Sequence, residues 1–151
     1  VTKPRAIVAE DEEHIRDLLT YMLESIGFEI IGVADNGQKA LELLQAQKPD
    51  LAIVDINMPH LKGTDVLRKY NCVKDTCTIM LTALSDVDTV KECVALGVSH
   101  FIRKDTPVPK MIEIIKSTWE SFHKQKMHSV KEKIKKYSLK KSVEQAKEDS
   151  K

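Results

Sequence analysis

Five polar residues in this chain stand where a single chemistry would want them. Glu10 and Asp11 follow the apolar run Arg5 to Ala9, Asp55 follows Leu51 to Val54, Thr82 follows Thr78 to Leu81, and Lys104 follows Val98 to Arg103. Each of those runs reads as a short strand, so the five residues belong to strand ends. Three carboxylates brought together repel one another, and their pKa values rise unless a cation intervenes; a hard divalent cation with oxygen ligands removes the conflict. The expected ion is Mg²⁺, which takes one or two carboxylates directly and leaves room for a phosphoryl oxygen. Asp55 is then free to act as a nucleophile toward phosphorus, forming an acyl phosphate. Such a transfer needs charge neutralisation and an in-line donor more than acid–base help. Lys104 supplies a compact mobile cation, and the Thr82 hydroxyl a hydrogen bond to a phosphoryl oxygen.

For this chemistry to occur the strand ends must converge. After Glu10 and Asp11, the residues Ile15, Leu18, Leu19, Met22 and Leu23 recur at helical spacing up to Gly27, a left-handed cap. Phe28 to Ala34 is a second β-branched run, Asp35-Asn36-Gly37 a turn, and Asn36 the cap of a helix carrying Ala40, Leu41, Leu43 and Leu44. The strand ending at Asp55 leads through Pro59 to Gly63 and a short helix from Thr64 to Tyr70. Ser85 is placed to cap a fourth helix that ends at Gly97, and a fifth carries Met111, Ile112, Ile115, Trp119 and Phe122 on one side. Strict βα alternation with apolar strands predicts an α/β doubly wound fold, a parallel sheet covered on both faces. Such sheets hold ligands beyond the carboxyl ends of their strands, where strand order reverses.

At 151 residues the chain suits one domain with some excess. Charged residues make up 31% and hydrophobic residues 42%, without an apolar run long enough to span a bilayer. The chain opens on Val1, which points to a trimmed end, and shows no leader pattern, so the cytoplasm is the simplest expected location. Cys72, Cys77 and Cys93 fit no zinc or redox spacing and are expected as reduced, mostly buried thiols. Charge is uneven: residues 123–151 carry ten lysines against four acids, a net +6, and residues 1–122 a net −5.

Val8 to Glu12, Pro49 to Pro59 with Gly63, Leu81-Thr82-Ala83 and Phe101 to Lys104 together resemble the receiver domains of two-component response regulators. The resemblance spans residues 5–122 and implies a flavodoxin-like sheet of order 2-1-3-4-5. It further implies that Asp55 accepts a phosphoryl group from a phosphohistidine on a sensor histidine kinase or phosphotransfer protein. By the same resemblance Glu10, Asp11, Asp55 and the backbone carbonyl of Asn57 hold the metal, Thr82 and Phe101 form the switch, and Asn57 and Leu84 tune dephosphorylation. The face of the fourth helix, fifth strand and fifth helix would then meet a downstream effector or a second copy. Asp105 replaces the proline that usually follows the lysine, and a cis bond before a non-proline residue costs about 2.5–4 kcal/mol. Glu10 takes the place of the commoner aspartate and is expected to reach the metal through water.

Each site residue alone has an ordinary explanation: acids favour helix N-termini, Thr82 is a β-branched strand end, Lys104 a surface charge, Phe101 core packing. Joint placement separates the readings. Two other functions use parts of the same pattern. A Mg²⁺-dependent phosphohydrolase of the haloacid dehalogenase type would place a general acid two residues after its nucleophile, where this chain has Asn57. A phosphate-independent scaffold would have no use for the acids, Thr82 and Lys104. From His123 onward Gly and Pro vanish, and Met127, Val130, Ile134 and Tyr137 are spaced 3, 4 and 3 apart, as in an amphipathic helix. This 123–151 tail is read as an extension of the fifth helix that packs on the first domain, pairs with a second copy or begins an output module. One aromatic and interspersed acids argue against nucleic acid and membrane as its partners.

Overall fold

The computed structural model describes residues 2–83 and 87–150. Its elements alternate as read: β1 (Arg5–Ala9), α1 (Glu13–Ser25), β2 (Glu29–Ala34), α2 (Gly37–Gln47), β3 (Leu51–Asp55), α3 (Gly63–Lys69), a 3₁₀ turn (Val73–Asp75), β4 (Cys77–Thr82), α4 (Val87–Leu96), β5 (His100–Arg103) and α5 (Val108–Asp149). The strands form one parallel sheet in the order β2-β1-β3-β4-β5. Order therefore reverses between β1 and β3, and the carboxyl ends of those two strands border the crevice where ligands of such sheets bind.

β1, β3 and β4 lie inside the sheet, and almost all their residues are buried, which is why they read as unbroken apolar runs. Successive side chains point to opposite faces. Ile7, Ala9, Ala52, Val54 and Met80 join one core with Ala40, Leu41 and Leu44 of α2 and with Val66 and Leu67 of α3. The other buried strand residues, among them Val8, Ile53, Ile79 and Ile102, lie outside that core, as do the buried Leu19, Met22 and Leu23 of α1 and Met111 and Ile115 of α5.

Local signals account for several helix ends. Asn36 caps α2 by accepting the Lys39 N–H at 2.9 Å, and Gly27 and Gly97 follow α1 and α4 with φ of 102° and 98°. β2 starts at Glu29 rather than Phe28, whose ring packs edge-on against Trp119 with centroids 5.3 Å apart. β5 is shorter than its apolar run because the Val98 N–H still closes α4 on the Cys93 carbonyl. α5 begins at Val108 with Pro109 in its first turn, where a missing N–H costs nothing. Ser85, expected to cap α4, lies outside the described residues. Cys77 and Cys93 are buried and Cys72 half-buried, all three as free thiols; burial pushes the Cys77 thiol up to about 11.

α5 continues without interruption through the basic tail. The chain divides between Trp119 and Glu120 into two units. Among the described residues no helix is long and apolar enough to cross a membrane.

One close approach fixes the loop after β3. A Cβ on Gly63 would sit 2.3 Å from the Asp55 carbonyl oxygen, and the Gly63 N–H donates to the Ile56 carbonyl at 2.8 Å. Gly63→Ala is expected to cost about 3 kcal/mol, the upper part of the overpacking range, as measured by urea unfolding. A loss under about 0.5 kcal/mol would show that the β3–α3 loop can yield.

Candidate functional site

The sheet edge assembles the residues that the strand ends pointed to. Glu10 extends β1 by a further ladder bond, its N–H donating to the Ala34 carbonyl at 2.9 Å, and its side chain is fully buried. Asp55, the last residue of β3, is 1% exposed. Thr82 ends β4 and is buried, and its carbonyl accepts the Lys104 N–H at 2.8 Å, so the backbone itself ties those two positions together. The Lys104 ammonium donates to Asp55 Oδ2 at 3.0 Å and to Glu10 Oε1 at 3.1 Å.

The Lys104–Asp105 peptide is trans, as are all described peptides. Asp105 turns outward to Arg103, which holds it through two contacts of 2.9 and 3.1 Å. The residue in the proline position therefore leaves Lys104 pointing at the acids.

Two buried carboxylates thus share one ammonium. Burial is the main cause that lifts Glu10 to about 7, with the nearby Asp55 charge adding to it against the Glu12 N–H and Lys104. Asp55 is raised as well, by burial, against hydrogen bonds from Lys104 and from the Asn57 N–H at 3.1 Å. Asp11 at the exposed rim goes the other way: desolvation is outweighed by the neighbouring Glu10 and Asp55 carboxyls, which hold it below the usual aspartate value. Burial also disfavours the Lys104 charge, yet the two acids keep its pKa above that of a free lysine.

Oxygens of Glu10, Asp11 and Asp55 all lie within 4.8 Å of one another. Glu10 Oε2 is buried and has no hydrogen-bond partner among the described residues. An all-oxygen, acidic donor set with one such oxygen fits a hard divalent cation of the Mg²⁺ type, whereas a soft-metal site would bring Cys or His ligands.

Asn57 is exposed beside Asp55, and with Thr82 and Ala83 it lines a cleft of about 580 Å³ that runs out between α3 and α4. On the far walls of that cleft Arg68 pairs with both Asp65 and Glu92. Phe101 is half-buried on β5 and packs against the core on the α2–α3 side of the sheet. Leu84 lies outside the described residues.

Two contributors were not singled out from sequence. Arg16 donates to the Glu10 carbonyl at 2.9 Å and reaches the Asp11 carbonyl at 3.4 Å, pinning the β1–α1 loop from within α1. Glu12 donates its N–H to Glu10 Oε1 at 3.1 Å and brings a carboxylate within 3.6 Å of Lys104. Glu12 stood in the acidic run Glu10 to Glu13 and was legible as one more acid; Arg16 carried no signal beyond being a cation one turn into a helix.

Comparison with known proteins bears on the fold and the family. The response regulator receiver domain family matches residues 6–116. The transcriptional regulatory protein PdtaR of Mycobacterium tuberculosis is 36% identical over 111 residues, 74% of this chain and 54% of its own length. The cyclic di-GMP phosphodiesterase of Thermotoga maritima is 34% identical over 99 residues, 65% of this chain and 26% of its own. The chain therefore spans about half the length of PdtaR, and less of the phosphodiesterase. Among solved structures, the response regulator domain of Thermotoga maritima CheB aligns with a TM-score of 0.68 at 26% identity, covering 79% of this chain and 98% of that one. A CheY-like receiver domain protein from Methanospirillum hungatei reaches 0.75 over 82% and 99%, at an identity of 23% that speaks to the fold alone. The fold, the strand-end acids, the lysine bridging them and the family match over residues 6–116 lead to one conclusion: the chain belongs to the response regulator receiver domain family.

Proposed function

We propose that the chain is a phosphorylation-driven switch in which Asp55 accepts a phosphoryl group from a phosphohistidine of a sensor histidine kinase or phosphotransfer protein. The carrying observation is the bridge from Lys104 to both Asp55 and Glu10 at the reversal point of the sheet, beside a buried Glu10 oxygen that has no partner among the described residues.

In the transfer, an Asp55 carboxylate oxygen forms a bond to phosphorus while the phosphorus–nitrogen bond to the donor imidazole breaks and that nitrogen leaves with its electron pair. Asp55 is ready for this role because the Asn57 N–H and the Lys104 ammonium hold its two oxygens in place. Glu10, Asp11, Asp55 and the Asn57 carbonyl would hold Mg²⁺, which supplies positive charge against the phosphoryl oxygens. Lys104 then exchanges its contact with the carboxylate for one with a phosphoryl oxygen, and the Thr82 hydroxyl donates to another.

The readout begins with charge. Phosphorylation adds nearly two negative charges at Asp55, drawing Thr82 and Lys104 toward that position. Movement of Thr82 opens space beside β4 for Phe101, whose half-buried place on β5 suits it to turn inward. The face made by α4, β5 and α5 changes shape with it and offers a downstream effector or a second copy a new surface. With Asn57 two residues after the nucleophile, no carboxylic acid stands there to drive rapid turnover. This favours a switch that holds its phosphoryl group over an enzyme that cycles, and a cytoplasmic setting suits a phosphohistidine donor.

Incubation with Mg²⁺ and acetyl phosphate is expected to add one phosphoryl group by intact mass, and Asp55→Asn to abolish it. Failure to form the adduct both with acetyl phosphate and with a cognate kinase would sink the reading; steady phosphate release over many turnovers would favour a hydrolase. Lys104→Met should slow adduct formation by about tenfold, less than the ~10²-fold typical of losing a single preorganised donor, because the metal charge remains. An unchanged rate would remove Lys104 from the transfer.

A further inference from the structure

The helical unit Glu120–Lys151 carries an apolar stripe that the switch chemistry does not use. Every residue from 123 to 150 is exposed. Met127, Val130, Ile134 and Tyr137 are 41%, 40%, 60% and 63% exposed, large values for apolar side chains. Their spacing of 3, 4 and 3 puts Met127 and Ile134 at the first core position of two successive heptads, with Val130 and Tyr137 at the second. Leu139 and Val143 fall off this line, so the stripe is only two residues wide. A seam that narrow suits one partner helix; helices that lie in a bilayer surface present a broad apolar face instead.

The residues that bound the seam select among partner helices. Lys126, Lys133 and Lys140 run along one side, and Lys124 and Lys131 along the other. In a parallel pair of identical helices Lys126 of one copy would face Lys131 of the other, and in an antiparallel pair each edge would meet itself, lysine against lysine. Like charges at these flanking positions oppose pairing and direct partner choice. The one acid between Met127 and Tyr137, Glu132, lies on the side of the helix away from the seam, where it cannot relieve that repulsion.

We infer that the Met127–Tyr137 face docks an amphipathic helix of a different protein, one with apolar core positions and Glu or Asp flanking them. The seam would exclude water from the contact, and the lysine edges would set partner and orientation through charge complementarity. The docking face lies wholly within the helical unit Glu120–Lys151.

The test titrates the full chain, at physiological ionic strength, with two synthetic three-heptad peptides that have Leu at the core positions and either Glu or Lys at the flanks. The Glu peptide is expected to bind at least about tenfold more tightly than the Lys peptide, a difference of ~1.4 kcal/mol. The double variant I134Q/Y137Q, which keeps good helix formers, should lose about tenfold in affinity for the Glu peptide while its helix content and its phosphoryl adduct stay unchanged. Binding that survives in I134Q/Y137Q would reduce the interaction to general charge attraction and overturn the inference. So would equal affinity for both peptides, self-association in sedimentation equilibrium that I134Q/Y137Q abolishes, or stripe-dependent binding to phosphatidylglycerol vesicles in place of the Glu peptide.

Discussion

Glu10 and Asp55 are two buried carboxylates held by one ammonium, and the surrounding structure exists to keep them so. Their separation follows from neighbouring parallel strands, and their burial from the helices over both faces. Lys104 can reach both because β5 follows β4 in the sheet and its N–H continues the ladder onto Thr82. Left to itself such a site opposes folding, since burial disfavours each charge and the acids repel each other. Instability of this kind marks a place prepared for added positive charge, and it gives a bound cation or a shift of Lys104 leverage over the sheet edge.

The close approach at Gly63 belongs to the same arrangement. With no Cβ there, the β3–α3 loop folds back onto the Asp55 carbonyl, leaving the Asn57 N–H on Asp55 Oδ1. Arg16 performs the matching task on the other loop by gathering the carbonyls of Glu10 and Asp11. Both loops at the reversal point are thereby tied back to their own elements, and the acids gain fixed positions without a long or elaborate loop.

The strands and the five strand-end residues could be read in the sequence because buried parallel strands are apolar runs and their ends are abrupt changes of type. Gly27, Asn36 and Gly97 were legible for the same reason: each position has a backbone requirement that few residues meet. Arg16 was not, since a cation on an amphipathic helix looks the same whether it meets water or a carbonyl. The start of β2 shifted because the tertiary contact of Phe28 with Trp119 overrides its β propensity, and that of β5 because the Val98 N–H is taken by the local closure of α4. Nothing in the sequence showed the 3₁₀ turn at Val73–Asp75. The continuity of α5 into a lysine-rich segment was legible from the absence of Gly and Pro after His123.

The claim that the acid cluster is built for a divalent cation is tested most directly by thermal unfolding with and without Mg²⁺. A ligand that binds only the native site at about ten times its Kd stabilises by ~1.4 kcal/mol, which for a domain of this size raises Tm by roughly 3–6 °C. Glu10→Gln, which removes one buried charge, should leave the metal-free protein at least as stable and should shrink the rise. The same melting curve with and without millimolar Mg²⁺, or an undiminished rise in Glu10→Gln, would contradict the account.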